Sequence, residues 1–153
     1  MANTFSKIYL HYVFTPKGRE YIISEKYREE LQKYITGIVQ NRNQKMLAIY
    51  CMPDHTHILI GYKPSISIPY LIRDIKTAST IFMNDKKWFI GKFQWQEGYG
   101  CFSYSHSQLD DIIQYINIQP EHHKRRKFKE EYLDILHKFD VKYNDDYLFE
   151  WYD

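Results

Sequence analysis

Cysteine, glycine and proline are scarce in this chain, and each scarcity narrows the possible architectures. The two cysteines, Cys51 and Cys101, do not form a CxxC spacing, which excludes the usual short redox or metal-binding motif. Six glycines and five prolines form no flexible linker, and there is no low-complexity tract or internal repeat. The chain is therefore expected to be a globular protein of a reducing compartment.

Long apolar runs and a large net charge are also missing. No stretch approaches the ~18 consecutive apolar residues of a membrane span, and residues 1–6 contain no apolar region typical of a signal peptide. We therefore expect a cytoplasmic protein with no membrane partner. The formal net charge is only +2, so affinity for nucleic acid would have to come from local basic patches.

Aromatic residues, by contrast, are abundant in a chain of single-domain length. Tyrosine, phenylalanine and tryptophan make up 18% of the residues; they pack cores and also offer faces on which unpaired bases can stack. A chain of 153 residues buries about 70% of its unfolded surface when it folds. A single domain over residues 1–153 is predicted.

Two histidines alternate in the segment MPDHTHILI at residues 52–60, which indicates a turn followed by a strand. In an extended chain, His55 and His57 point to one face and Thr56 to the other. Two neutral imidazoles on one face can bind a divalent ion. Asp54 either forms the turn or orients a ligand imidazole from behind. Because His-x-His spacings often arise by chance, this motif needs a second half.

The apolar periodicity predicts the order strand, helix, strand, strand, helix, strand over residues 6–103. The strands are expected at about 7–15, 46–52, 55–60 and 94–103, and the helices after Ser24 and from about 69 to 84. This order is that of the α+β ferredoxin-like, or RRM-like, fold. That fold is a four-stranded antiparallel sheet with two helices on one face.

A further helix is predicted over residues 107–119, with Ser107 as its cap. Tyr115 and Gln119 are four residues apart and would lie on one face of this helix. As an addition after the last strand, the helix must fold back, or cross to a neighbouring subunit, to reach the histidine face.

Basic side chains form two candidate DNA-binding surfaces. Arg73 and Lys76 belong to a polar stripe of the second predicted helix, which could equally be an ordinary solvated face. The basic run at 122–129 follows the tyrosine helix and could bind phosphates or serve as a solvated linker. Its predicted DNA contacts are Lys124, Arg125, Arg126 and Lys127. Residues 120–153 then continue as a C-terminal helix and an acidic, aromatic tail.

The histidine strand, the Tyr-x-x-x-Gln helix and the basic segment that follows resemble the single-tyrosine HUH transposases of small insertion sequences, the TnpA type. The resemblance covers nearly the whole chain. Thr56 departs from it, since the family has a bulky hydrophobe between the two histidines. Threonine is β-branched and fits a strand, so we expect little effect on the site.

The resemblance implies a transposase that cuts and rejoins single-stranded DNA at insertion-sequence ends through a 5′-phosphotyrosine intermediate. Tyr115 would be the nucleophile, and His55, His57 and Gln119 would hold Mg²⁺ or Mn²⁺. The substrate would be single-stranded DNA with hairpin ends. The partner would be a second copy of the chain, in a homodimer with joined sheets and possible sharing of the active sites between subunits.

Two other functions are compatible with parts of the pattern. A non-catalytic module that binds single-stranded nucleic acid could use the same fold, which is also the scaffold of common RNA readers. Such readers do not need the two histidines together with Tyr115 and Gln119. A replication-initiation or relaxase enzyme would share the chemistry, but we expect it less because the chain is short and shows no second domain.

Overall fold

The computed structural model describes residues 3–152, in which four strands and five α-helices are found. The strands are β1 (Ile8–Phe14), β2 (Lys45–Cys51), β3 (Thr56–Tyr62) and β4 (Gly100–Tyr104). The helices are α1 (Arg28–Asn41), α2 (Ile68–Asp85), α3 (Leu109–Asn117), α4 (Gln119–His123) and α5 (Phe128–Lys138), with short 3-10 turns at Arg19–Tyr21, Glu25–Tyr27, His106–Gln108 and Asp145–Tyr147. None of the helices between residues 3 and 152 is long and apolar enough to cross a membrane.

The four strands form one antiparallel sheet in the order β2-β3-β1-β4. Together with α1 and α2, which connect the strands in the predicted order, this is the ferredoxin-like arrangement. The predicted fold class is confirmed. β1 and β3 occupy the centre of the sheet, and their register pairs Val13 with His57 and His11 with Leu59.

One face of the sheet packs against α1 and α2. Alternation along β1 brings Tyr12 and Phe14 to this face, where Ile58 and Ile60 of β3 join them, and all four side chains are fully buried. The apolar stripes of the two helices close the layer with Leu31, Ile35, Ile38, Val39, Leu71, Ile72, Ile75 and Met83. Each such side chain stabilises the fold by roughly 1.5–3 kcal/mol relative to an exposed position.

The opposite face of the sheet is covered by the C-terminal helices. Leu59 packs against Ile112 and Ile116 of α3, while Val13 and Phe102 pack against α5. The chain after β4 therefore folds back onto the face that carries His57.

The fourth strand is shorter than predicted. Residues 94–99 are irregular and form a single bridge, between Pro16 and Trp95, before β4 begins at Gly100. Gly98 has a φ of 83°, in the left-handed region that interrupts a strand. The indole of Trp95 instead donates to Ser79 Oγ at 3.0 Å.

The helix predicted over 107–119 is divided into two. Ser105, not Ser107, forms the capping box, with Gln108, and α3 ends at Asn117. Ile118 leaves the helical conformation, and Gln119 begins α4. Pro120 explains the break, because proline lacks an N–H and its ring clashes with the carbonyl four residues earlier. Tyr115 and Gln119 therefore do not lie on one continuous helix.

Replacing Ile60 by alanine is expected to lower the free energy of unfolding by about 2–5 kcal/mol, because the side chain is fully buried between the sheet and the helices. The matched control is Ile90→Ala, at a fully exposed isoleucine, for which we expect a change within about 0.5 kcal/mol. Urea unfolding of both variants measures the difference. Equal losses would contradict the assignment of this face as the main core.

Candidate metal and tyrosine site

The two histidines are held rigidly at the start of β3. His57 is fixed by pairing with Val13 of the central strand, and His55 directly precedes the strand. Both side chains are fully buried, and their ring centroids lie 5.0 Å apart with the planes nearly perpendicular. Phe128 stacks on His55 at 4.0 Å between ring centroids. The structure thus places the two predicted ligands side by side.

Asp54 lies behind His55, in the position predicted for a residue that orients a ligand. Its Oδ1 is 2.7 Å from Nδ1 of His55. Burial alone would raise the pKa of the Asp54 carboxyl, but the hydrogen bond and charge of His55 outweigh burial and lower it. A proton on Nδ1 directed at this carboxylate leaves the lone pair of Nε2 facing Gln119 Oε1, 3.0 Å away.

A carboxylate that belongs to none of the sequence motifs lies among the imidazoles. Oε1 of Glu131, from α5, is 3.2 Å from His57 Nε2, 3.5 Å from His55 Nε2 and 3.1 Å from His123 Nε2. Within residues 3–152, His55, His57 and Glu131 are the group of such side chains whose donor atoms all lie within 4.8 Å of one another. These three residues could hold a metal ion.

Burial and neighbouring charges both shift the pKa values in this cluster. Burial alone would raise the pKa of Glu131, but the nearby imidazoles of His57, His123 and His55 outweigh burial, so the pKa lies well below the ordinary carboxyl range. For His57, burial lowers the pKa, and this effect outweighs the charge of Glu131, which would raise it. Glu131 is therefore a negative charge inside the protein, compensated by its neighbours.

Tyr115 reaches the same carboxylate from α3. Its hydroxyl donates to Oε2 of Glu131, and Nε2 of Gln119 donates to the same oxygen at 3.0 Å. The Tyr115 ring is perpendicular to His57, with 6.0 Å between centroids. The two predicted residues thus meet at one atom although they lie on separate helices. Burial, followed by the Glu131 charge, raises the pKa of Tyr115 above its ordinary value.

The donor spacings fit a coordinated divalent cation. The separations of 3.0–3.5 Å from His55 Nε2 to Gln119 Oε1 and to Glu131 Oε1 match the edge of a coordination polyhedron, which is about 3.0 Å for octahedral bonds of about 2.1 Å. Nε2 of His55 faces two oxygens that carry lone pairs. Lone pairs that face one another repel, and either a cation between the three atoms or a proton on Nε2 removes this repulsion.

His11 supports His57 from the neighbouring strand. Its Nε2 lies 2.7 Å from His57 Nδ1, and its Nδ1 lies 3.3 Å from the Tyr104 hydroxyl. His11 is fully buried, and burial followed by the charge of His57 holds its pKa well below the ordinary value. This histidine acts behind the site rather than as an isolated strand residue.

The basic residues predicted on α2 have different surroundings. Arg73 is exposed, ion-paired with Asp74 at 3.3 Å and stacked on Tyr70. Lys76 is half-buried and donates to the carbonyl oxygens of Gln96 and Gly98, at 2.9 and 2.6 Å. Burial lowers its pKa to about 8. Lys76 therefore ties α2 to the segment before β4.

The basic run occupies the turn between α4 and α5, beside the tyrosine. Lys124 and Arg125 are exposed, as is Lys127, which directly precedes α5. Lys124 forms an ion pair with Glu121 at 3.3 Å, and Arg126 forms one with Asp134 at 3.4 Å. Arg126 and Tyr115 both line a cavity of about 400 Å³. Arg126 is therefore the member of the run that lies at the cavity lined by Tyr115.

Sequence reasoning missed Glu131 and His123 as site residues, although each position carries a signal. Along α5 the buried positions follow the spacing of one helical face, and Glu131 occupies such a position between apolar residues. A carboxylate on an apolar face indicates a buried partner. His123 follows Gln119 by four residues in α4, and its Nε2 lies 3.1 Å from Gln119 Oε1.

The family model described as transposase IS200 like matches residues 4–119. The chain belongs to this family. It shares 24% identity over 116 residues with the ISDra2 transposase TnpA of Deinococcus radiodurans, covering 71% of this chain and 81% of that protein. The match to the family ends at Gln119, so the basic run at 122–129, which includes His123, and Glu131 lie beyond it.

Two solved structures have the same fold as this IS200-like transposase. A candidate transposase from Deinococcus radiodurans aligns with a TM-score of 0.60 at 24% identity, over 76% of this chain and 94% of that one. A REP-associated tyrosine transposase bound to a REP hairpin also gives a TM-score of 0.60, at 16% identity, over 79% of this chain and 72% of that one.

Acidification of the metal-free protein is expected to reduce its free energy of unfolding, partly through His11. The pKa values of His11 and His57 are lowered from 6.5 in the folded state. These histidines take up protons near pH 6.5 in the unfolded chain but only at lower pH in the folded protein. The unfolded chain therefore binds more protons than the folded one as pH falls through 6.5, and the free energy of unfolding falls with it. Each group contributes up to about 1.4 kcal/mol per pH unit. His123, with a raised pKa, acts in the opposite sense.

The measurement is urea unfolding in EDTA between about pH 7.5 and about pH 5.5. His11→Gln should have a shallower pH dependence than the wild type, by about 1 kcal/mol over this range. His57, Glu131 and Tyr104 surround His11 and remain in both proteins. The exposed His137→Gln is the matched control, and equal slopes in all three proteins would contradict the assignment.

Proposed function

We propose that this transposase cuts and rejoins single-stranded DNA by metal-dependent transesterification, with Tyr115 as the nucleophile. The observation that supports this most is the meeting of the Tyr115 hydroxyl and Gln119 at a carboxylate that also contacts His55 and His57. A nucleic-acid-binding module has no need of such a buried cluster. Membership of the transposase family supports the same reaction.

His55, His57 and Gln119 are the proposed ligands of a divalent ion, Mg²⁺ or Mn²⁺. Asp54 holds His55 from behind, as His11 does for His57, so both rings keep the orientation that directs Nε2 into the site. When bound, the ion supplies charge neutralisation to the scissile phosphate. Mixed nitrogen and oxygen donors suit several first-row ions, and our preference for Mg²⁺ or Mn²⁺ rests on the family.

The proposed reaction exchanges one phosphodiester bond for another. The Tyr115 oxygen attacks the phosphorus and its proton passes to a neighbouring acceptor. The bond from phosphorus to the 3′-oxygen breaks, and the departing oxygen takes up a proton from water. A 5′-phosphotyrosine and a free 3′-hydroxyl result. Attack of a second 3′-hydroxyl on the phosphotyrosine rejoins the strands and regenerates the tyrosine. Phosphoester bond energy is conserved, so the reaction needs no ATP.

DNA is proposed to approach through the cavity of about 400 Å³ beside Tyr115. Tyr104 and Phe139 line it with aromatic surface, and Arg126 supplies a positive charge. Lys124, Arg125 and Lys127 are proposed to bind phosphates outside this cavity. Arg73 and Lys76 are further candidates on α2, where Arg73 is ion-paired with Asp74 and Lys76 is half-buried and donates to two backbone carbonyl oxygens. The proposed substrate carries hairpin ends, and the REP-associated relative, which is bound to a REP hairpin, supports this choice.

The proposed partner is a second copy of the chain in the cytoplasm, with sheets joined through the edge strand β2 or β4. Each chain also contains a His pair and a tyrosine that face one another, so exchange of tyrosine helices is not required to assemble a site. Mixing Tyr115→Phe chains with His55→Ala chains separates the two arrangements. Activity returns in the mixture only if a tyrosine serves the His pair of the partner.

Tyr115→Phe is expected to abolish the covalent protein–DNA adduct, because phenylalanine lacks the attacking oxygen. Purified protein is incubated with Mn²⁺ or Mg²⁺ and labelled single-stranded DNA from the ends of its own locus. The adduct is then detected on a denaturing gel. His55→Ala should also eliminate it, through loss of the ion.

The matched control is Tyr147→Phe, at a highly exposed tyrosine, which should leave the yield of adduct unchanged. An adduct that persists in Tyr115→Phe would assign the nucleophile elsewhere. DNA binding without an adduct under any divalent ion would favour the non-catalytic binding module.

Replacing Lys124, Arg125 and Lys127 together by alanine is expected to weaken DNA binding and its salt dependence. Log affinity falls as log salt rises, and the loss of three phosphate contacts should make this slope less steep by about 2 for a single strand. Arg126 is left intact because it lines the tyrosine cavity. The matched control replaces the exposed Lys26, Lys33 and Lys92, and fluorescence anisotropy measures all three proteins. An equal salt slope in both triple variants would contradict the assignment.

A further inference from the structure

We propose that Glu131, on the C-terminal helix beyond the family match, couples the metal ion to the nucleophile: Oε1 is a further ligand of the ion and Oε2 holds the Tyr115 hydroxyl. The inference rests on the proposed function and deepens it. Glu131 is a positioning residue in this scheme, because it acts on Tyr115 and the ion rather than on the DNA.

The position of Oε1 supports the ligand role. It lies 3.2 Å from Nε2 of His57 and 3.5 Å from Nε2 of His55, so it shares the space into which both imidazole nitrogens point. These separations are those of neighbouring ligands on one ion, as for Gln119. A carboxylate oxygen is also a harder donor than imidazole and favours Mg²⁺ or Mn²⁺. Glu131 would lower the net charge of the site by one.

The position of Oε2 supports the positioning role. It accepts one hydrogen bond from the Tyr115 hydroxyl and another from Gln119 Nε2. The carboxylate is planar and rigid, so a change at Oε1 is transmitted to Oε2. Binding of the ion at one oxygen would therefore fix the orientation of the phenol at the other.

Helix α5 is anchored firmly enough for this task. Phe128 and Tyr132, on either side of Glu131, are buried and pack with Val13 and Phe102 of the sheet. Phe128 also stacks on His55, and Glu131 itself is fully buried. A ligand in such surroundings has little freedom to leave the site. The helix thus serves the site as well as the second layer of the core.

Mn²⁺ binding to the DNA-free protein tests the ligand role. Isothermal titration calorimetry compares the wild type with Glu131→Gln, which keeps the shape of the side chain and removes its charge. We expect Glu131→Gln to bind Mn²⁺ at least about 10-fold more weakly. Glu130→Gln, at the adjacent exposed glutamate, is the matched control and should bind as the wild type does. Thermal unfolding establishes that each variant is folded.

Fluorine-19 NMR tests the coupling. A single fluorotyrosine is introduced at position 115, and Mg²⁺ is added as a diamagnetic probe. The fluorine resonance should shift on Mg²⁺ binding in an otherwise wild-type chain and in Glu130→Gln. It should not shift in Glu131→Gln at Mg²⁺ concentrations that saturate the site. Glu131→Asp, which retains the charge but is one methylene shorter, provides a second variant should Glu131→Gln not fold, and it should also lose the shift.

The outcomes separate this inference from the proposed function. Wild-type Mn²⁺ affinity in Glu131→Gln, with the covalent adduct still formed by the wild type, would overturn the role of Glu131 alone. A weakened affinity with an unchanged fluorine shift would overturn the coupling. Absence of Mn²⁺ binding by the wild-type chain would remove the basis of both proposals.

Discussion

The negative charge of Glu131, buried between α5 and the sheet, is the constraint on which the site depends. An isolated carboxylate in such a place would cost several kcal/mol, and proteins tolerate one only where hydrogen bonds and opposite charges compensate it. Here His57 and His123 face one oxygen, while Tyr115 and Gln119 donate to the other. The compensation joins β3, α3, α4 and α5 at a single point. The buried carboxylate therefore has all of its compensating partners only when these four elements are packed together.

The ferredoxin-like sheet makes this arrangement possible because its two faces have separate tasks. One face packs against α1 and α2 through an apolar core. The other carries His11 and His57 on adjacent central strands and is covered by the chain that follows β4. Rigid strands hold the imidazoles, and short helices bring the oxygen donors to them. Polar side chains thus occupy the centre of an interface that is otherwise apolar.

The break between α3 and α4 contributes to the same site. Pro120 ends the regular helix, and the redirected chain presents Gln119 toward His55 while Tyr115 remains over His57. The turn that follows α4 carries the basic run past the tyrosine cavity before α5 begins. Tyr115, Gln119, the basic run and Glu131 therefore come from one continuous segment, residues 109–138, whereas the two histidines come from the start of β3. This segment extends well past the end of the family match.

The sequence by itself determined the order of strands and helices, the face shared by His55 and His57, and the pairing of a tyrosine with a glutamine four residues later. These depend on local periodicity, which a sequence shows directly. Pro120 also marks the end of the tyrosine helix in the sequence, although the predicted helix over 107–119 did not include a break before it. Only the tertiary structure decided that Glu131, His123 and His11 meet at the site, because their contacts connect residues far apart in the chain, such as His57 and Glu131, which are 74 positions apart. Such contacts arise from how layers pack, and no local pattern encodes the distance between two layers.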